Sequence, residues 1–151
     1  RLIYRDFVPG QDIEPSPGFR VHTSRLHHPN GATAYRIHAG GKSVVYASDH
    51  EHGDGPSDTA LTQFASQADL LIYDATYTDH SYPSHKGWGH STWQAGLKIA
   101  HDAKAKALAL FHHDPSATDP ILAAVEAEAI SAGRKLGVRV FAARENAVWA
   151  G

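Results

Sequence analysis

Alternation of apolar and polar positions is the first regular pattern in the chain. Residues 19–26, FRVHTSRL, repeat with the period of two expected of a half-buried strand. Two further runs, 33–39 (TAYRIHA) and 43–49 (SVVYASD), flank Gly-Gly-Lys, which predicts a β-hairpin. Downstream the pattern changes. Residues 69–75 (DLLIYDA) and 106–114 (KALALFHHD) are continuous apolar runs, as expected of strands covered on both faces. Residues 55–68 and 90–105 carry helical spacing. The first of these starts at Ser57 or Asp58. The second starts at His90, with Ser91 or Thr92 as its N-cap and Ala95, Ile99 and Ala100 on one face. Residues 119–137 predict a long helix with Pro120 in its first turn and Gly137 beyond its end. Short strands are expected in 138–143 (VRVFAA) and 146–150 (NAVWA). Residues 1–18 read as a short strand and a loop, with Pro15, Pro17 and Gly18 marking a turn. Residues 76–89, TYTDHSYPSHKGWG, show neither period and read as a polar, aromatic loop.

Strands come first and strand–helix alternation follows, which predicts an α/β layer, a sheet with helices on one face. The runs SVVYAS, LLIYDA and ALALF are apolar on both faces, so the second face needs cover. That cover is expected from a missing N-terminal half or from a symmetric partner. Three apolar strands end in polar groups: Asp49, Asp74 and His112. Layered α/β folds collect reactive groups at the carboxyl ends of their strands.

Composition narrows the picture. At 151 residues the chain suits one domain, and 42% hydrophobic with 20% charged residues is ordinary for a globular protein. A formal charge of −2 gives no general pull toward nucleic acid, which makes a tRNA-sized substrate an unfavoured expectation. No run is long enough to span a bilayer and no export signal is present, so a cytoplasmic location away from membranes is expected. Zero cysteines exclude disulfides and thiolate metal sites. The chain begins at Arg1 and contains no methionine, so it is expected to be part of a longer one. Its 12 histidines are many, and several sit at the ends of strand-like runs. Histidine is the commonest metal-binding side chain.

His28, Asp49 and His112 are therefore candidate metal ligands, although a turn-capping Asp49 and solvated or core histidines are the plainer alternatives. The motifs LHHPNGATAYRI and SVVYASD, with 21 residues from His28 to Asp49, resemble metal motifs of the metallo-β-lactamase superfamily. The branch they resemble is that of ribonuclease Z and the phosphoribosyl cyclic phosphodiesterases. ALALFHHD resembles its last histidine motif, GHSTWQA its His-Ser-Thr motif and YDATY its His-Glu-Ala-Thr motif, with Asp74 in the acidic position. The superfamily's His-x-His-x-Asp-His signature is not in the sequence; DHEHGD (49–54) has similar letters in another order.

The resemblance implies half of an αββα sandwich, with residues 1–151 the C-terminal portion of a single metallo-β-lactamase-like domain. It implies a metal-dependent hydrolase, phosphodiesterase-like, using two divalent ions, zinc first and manganese or iron as alternatives. His28 would hold one ion and His112 the other, with Asp49 bridging and His90, oriented by Asp74, acting in catalysis. A small phosphodiester is the expected substrate. An ester, lactone or thioester hydrolase and a non-catalytic binding module are the alternatives. His50, His52, His80, His85 and His113 are expected on surfaces or loops, His22, His38 and His101 as structural residues, and Tyr77, Tyr82 and Trp88 as a substrate wall or a packed lid.

Overall fold

The computed structural model describes residues 4–151. One sheet runs in chain order through β1 (Ile13–Ser16), β2 (Phe19–Leu26), β3 (Ala32–Ala39), β4 (Lys42–Ala47), β5 (Leu70–Asp74), β6 (Ala107–Phe111) and β7 (Arg139–Ala142). β1 to β4 pair antiparallel and β4 to β7 pair parallel. The helices are α1 (Pro56–Phe64), α2 (Trp93–Asp102) and α3 (Asp119–Leu136). This is the mixed α/β sheet with helices on one face that the sequence predicts.

The turns explain the antiparallel half. Gly40 and Gly41 both have positive φ, 56° and 72°, as a two-residue turn between right-twisted strands requires. Pro17 and Gly18 close the β1–β2 hairpin, and Pro15 lies in β1, an edge strand where a missing N–H is tolerated. In the parallel half each crossover carries a helix onto the same face. Val45, Ala47, Leu71, Tyr73, Leu108, Leu110 and Val140 meet Leu61, Leu97, Ile99, Ala100 and Ala129 there to form the main core. Gly96 and Gly133 let the helices close on the sheet. A Cβ at Gly96 would lie 2.5 Å from the Tyr73 ring, and one at Gly133 2.4 Å from Val140.

The opposite face is only partly covered. Leu70, Ala107 and Ala109 are buried there, with Val44, Ile72, Phe141 and Trp149 packed around them. Residues 146–150 do not form the expected strand. They lie over this face instead, with Trp149 facing Leu70 and Phe141 across a groove of about 570 Å³. No helix among the described residues is long and apolar enough to cross a membrane.

Two helix starts differ from expectation. α2 begins at Trp93, and Thr92 is its cap, accepting from the Ala95 N–H; His90 is left outside the helix in extended chain. α1 has Gly55 at its N-cap, a residue without a side chain to cap with, and Asp54 just before it accepts the Ser57 N–H.

Candidate metal centre

Asp49 follows β4, Asp74 ends β5 and His112 follows β6, so the parallel register brings all three to one edge of the sheet. His90 arrives from the loop ahead of α2. One ligand-type atom from each of Asp49, Asp74, His90 and His112 lies within 4.8 Å of the others. The ring planes of His90 and His112 stack, 4.7 Å apart at 17°.

Asp74 is fully buried and its oxygens are almost completely used. Oδ1 accepts from Ser91 N, Thr76 N and the Thr76 hydroxyl; Oδ2 accepts from His90 Nδ1 at 2.9 Å and, more weakly, from His50 N. A carboxylate only accepts, so the contact puts a proton on His90 Nδ1 and leaves Nε2 as the free ring nitrogen.

His112 is fixed in a similar way. Its Nδ1 is 3.0 Å from Thr76 Oγ1, and that hydroxyl also lies 2.8 Å from Asp74 Oδ1 and 2.6 Å from the His112 carbonyl. A hydroxyl has one proton, and two oxygen acceptors compete for it, so Nδ1 is the donor. Nε2 then faces Asp49 Oδ1 at 3.2 Å, close enough for the two to share a cation. Among the described residues neither Asp49 nor Asp74 has a lysine or arginine within ion-pair distance. An imidazole and carboxylate donor set of this kind suits zinc and similar divalent ions, so the residues fit a metal. His112 also has a φ of 56°, a conformation that costs on the order of 1 kcal/mol or more outside glycine.

His28 stands beside this group rather than in it. Its ring is 5.9 Å from that of His90, and its Nδ1 accepts the Asn30 N–H at 3.2 Å. Thus four of the five residues singled out in the sequence come together, with the fifth one ring further out.

Several neighbours were not legible. His50, expected on a surface or loop, is fully buried, bonded to Asp58 through Nε2 and accepting the His27 N–H through Nδ1. Glu51 is 5% exposed and grips the 82–89 loop. Ser91 joins His52 Nδ1 to the Tyr73 hydroxyl, each at 2.8 Å. Burial pushes the Tyr73 phenol well up and the His52 imidazole down. Tyr82 is pushed up to about 12, by burial and then by its bond to Glu51. The loop at the mouth packs in part: Tyr77 is buried and stacks on His85, whereas Trp88 is 62% exposed.

The sequence family described as beta-lactamase superfamily domain matches residues 5–113, well over half of the chain. The chain belongs to that superfamily. Superfamily relatives include ribonuclease Z of Thermoplasma volcanium, 38% identical over 80 residues, which is 52% of this chain and 24% of the relative. Ribonuclease Z of Pyrococcus furiosus is also 38% identical, over 77 residues, 50% of this chain and 22% of that one. Among solved structures, the metallo-beta-lactamase fold protein YhfI from Bacillus subtilis superposes with a TM-score of 0.75 at 27% identity, over 95% of this chain and 54% of its own. The short form of human tRNase Z gives 0.56 at 29%, over 68% and 38%. The chain spans about a quarter of the length of the curated relatives it matches.

Proposed function

We propose that the protein is a metal-dependent hydrolase of phosphodiesters, built around a dinuclear centre. The observation that carries this reading is the convergence of Asp49, Asp74 and His112 from three strand ends, and of His90 from the loop before α2, to within 4.8 Å. The kinship to ribonuclease Z enzymes favours phosphodiester over ester, lactone or thioester chemistry. A net charge of −2 favours a small diester over a long polynucleotide.

Asp49 would bridge the two ions, His112 would hold one and His28 the other. His28 is the least prepared, since its Nδ1 already accepts the Asn30 N–H. Bound divalent ions, zinc or else manganese or iron, supply an activated water and polarise the phosphoryl oxygens. The chain's own contribution is proton management. Asp74 keeps the His90 proton on Nδ1 in the resting state, so a second proton taken up at Nε2 makes His90 an imidazolium able to donate to the departing oxygen. The buried, fully bonded carboxylate stabilises that charged form without moving.

The chain reads as the C-terminal portion of one domain. The half-covered face bearing Tyr46, Ile72, Phe111 and Phe141 supports this, as does coverage of 54% of the YhfI chain. The remaining half would complete the ligand set and cover that face; a second copy of the chain is the alternative cover.

The test separates the two kinds of residue. In the full-length protein, His90→Ala keeps its metal content and loses about 10²–10⁴-fold in turnover of bis(4-nitrophenyl) phosphate. Asp49→Ala loses metal as well. Equal metal loss in both variants, or faster turnover of a nitrophenyl ester than of the diester, defeats the reading.

A further inference from the structure

Resting on that reading of the site, we propose that Glu51 is its positioning residue, fixing His28 and His90 against each other through the loop that precedes His90. Among the described residues no lysine or arginine pairs with Glu51, and a buried carboxylate of that kind is costly unless its lone pairs are filled. Here they are filled from one segment. Oε1 accepts the Tyr82 hydroxyl at 3.0 Å and the Gly87 N–H at 2.6 Å; Oε2 accepts the Gly89 N–H at 2.8 Å. The two glycine donors flank Trp88, so the chain on both sides of that exposed indole is held from beneath.

The backbone of Glu51 reaches the other wall of the site. Its N–H donates to the His27 carbonyl at 2.8 Å, and its carbonyl accepts from His27 Nδ1 at 2.9 Å. One residue thereby ties the 27–28 turn, the segment after Asp49 and the 82–89 loop together. The geometry transmits to the imidazoles. Gly89 has a φ of 89°, and a Cβ on it would lie 2.1 Å from Cδ2 and 2.5 Å from Nε2 of His28. The His28 ring therefore rests on the peptide that Glu51 holds, and His90 is the next residue along. If the loop shifts by a few tenths of an ångström, the seat of His28 and the approach of His90 to Asp74 shift with it.

Glu51→Gln keeps the side chain's size but turns one acceptor into an NH₂ group facing an N–H donor. In the full-length protein this variant is expected to weaken zinc affinity, measured by chelator competition, by about 10–100-fold, the usual cost of losing an outer-shell partner. It should also shift the ring-nitrogen NMR signals of His28 and His90, while those of His22, His38 and His101 stay in place. Gly89→Ala leaves the Glu51 carboxylate intact and should shift His28 in the same way. Tyr82→Phe removes one donor of the three and should stay within about twofold of the parent. A Glu51→Gln protein that melts earlier yet keeps parental zinc affinity and parental His28 and His90 signals overturns the proposal, leaving Glu51 a structural residue only. If the parent protein binds no zinc, the hydrolase reading falls, and the imidazole signals alone still decide this one.

Discussion

The antiparallel and parallel halves of the sheet use their histidines differently. In the antiparallel half His22 sits mid-strand in β2 and His38 near the turn end of β3, rings 5.6 Å apart on a sheet surface, and His22 meets Asp12 there. In the parallel half His112 and the two aspartates lie just at or beyond strand ends, where Thr76, Ser91 and Ser48 hold them. Antiparallel neighbours point alternate tips in opposite directions, so no edge gathers more than one strand end in two. Parallel neighbours point every carboxyl end to one edge. Convergence at that edge gives the cluster, and hydrogen bonds at Nδ1 leave Nε2 of both His90 and His112 as the free ring nitrogen.

The contrast carries an energetic side that can be broken by substitution. Leu108, fully buried between helices and sheet in the parallel half, should cost about 2–5 kcal/mol as Leu108→Ala, whereas half-exposed Ile37 in β3 should cost about 1 kcal/mol as Ile37→Ala. Chemical denaturation of the two variants checks this, and equal losses would mean the halves are equally packed. Gly133→Ala sharpens the same point. Its new methyl would lie 2.7 Å from the Val138 carbonyl, a rigid backbone atom, and about 1–3 kcal/mol of stability should go.

Acidification gives a smaller and directional effect. Burial holds His52 below its ordinary value of 6.5, outweighing the pull of Asp58 and Asp79. The unfolded chain therefore binds the proton first, and stability falls as pH drops below about 6.5. Glu51 shifts in the same direction and favours its deprotonated form, here the charged carboxylate. Burial alone would raise it, but the N–H groups of Gly87 and Gly89 and the Tyr82 hydroxyl hold it below 4.5. Its contribution is whole above that value and is lost as pH falls through the lowered one. Urea midpoints from pH 7.5 to 5.5 should decline in the parent and decline less in His52→Gln. At the bottom of the scale, exposed His38→Ala should stay within about 0.5 kcal/mol at neutral pH.

The sequence reveals the parts of this molecule governed by period. β2 was legible to its ends from alternation, and α3 from Pro120 and Gly137, the latter now seen with φ of 71°. The strand tips were legible too, because a continuous apolar run that stops at Asp74 or His112 marks its own end. What escaped was whatever depends on long-range pairing. Thr76 meets His112 across 36 residues, and Glu51 meets Gly89 across 38. The 76–89 loop has no period to place either partner. His50 looked like a surface residue because its neighbours are polar, yet Asp58 and the His27 N–H satisfy both of its ring nitrogens, which makes full burial tolerable. Residues 146–150 have strand-like composition, yet they pack across the sheet face through Trp149 instead of pairing with β7.

Anomalous diffraction at the zinc edge, from crystals of the full-length protein, tests the central claim most directly. A peak is expected about 2.0–2.2 Å from both Asp49 and His112 Nε2, with His112 Nδ1 still on Thr76. A zinc-loaded crystal with its peaks elsewhere, and a proton alone between Asp49 and His112, would contradict it.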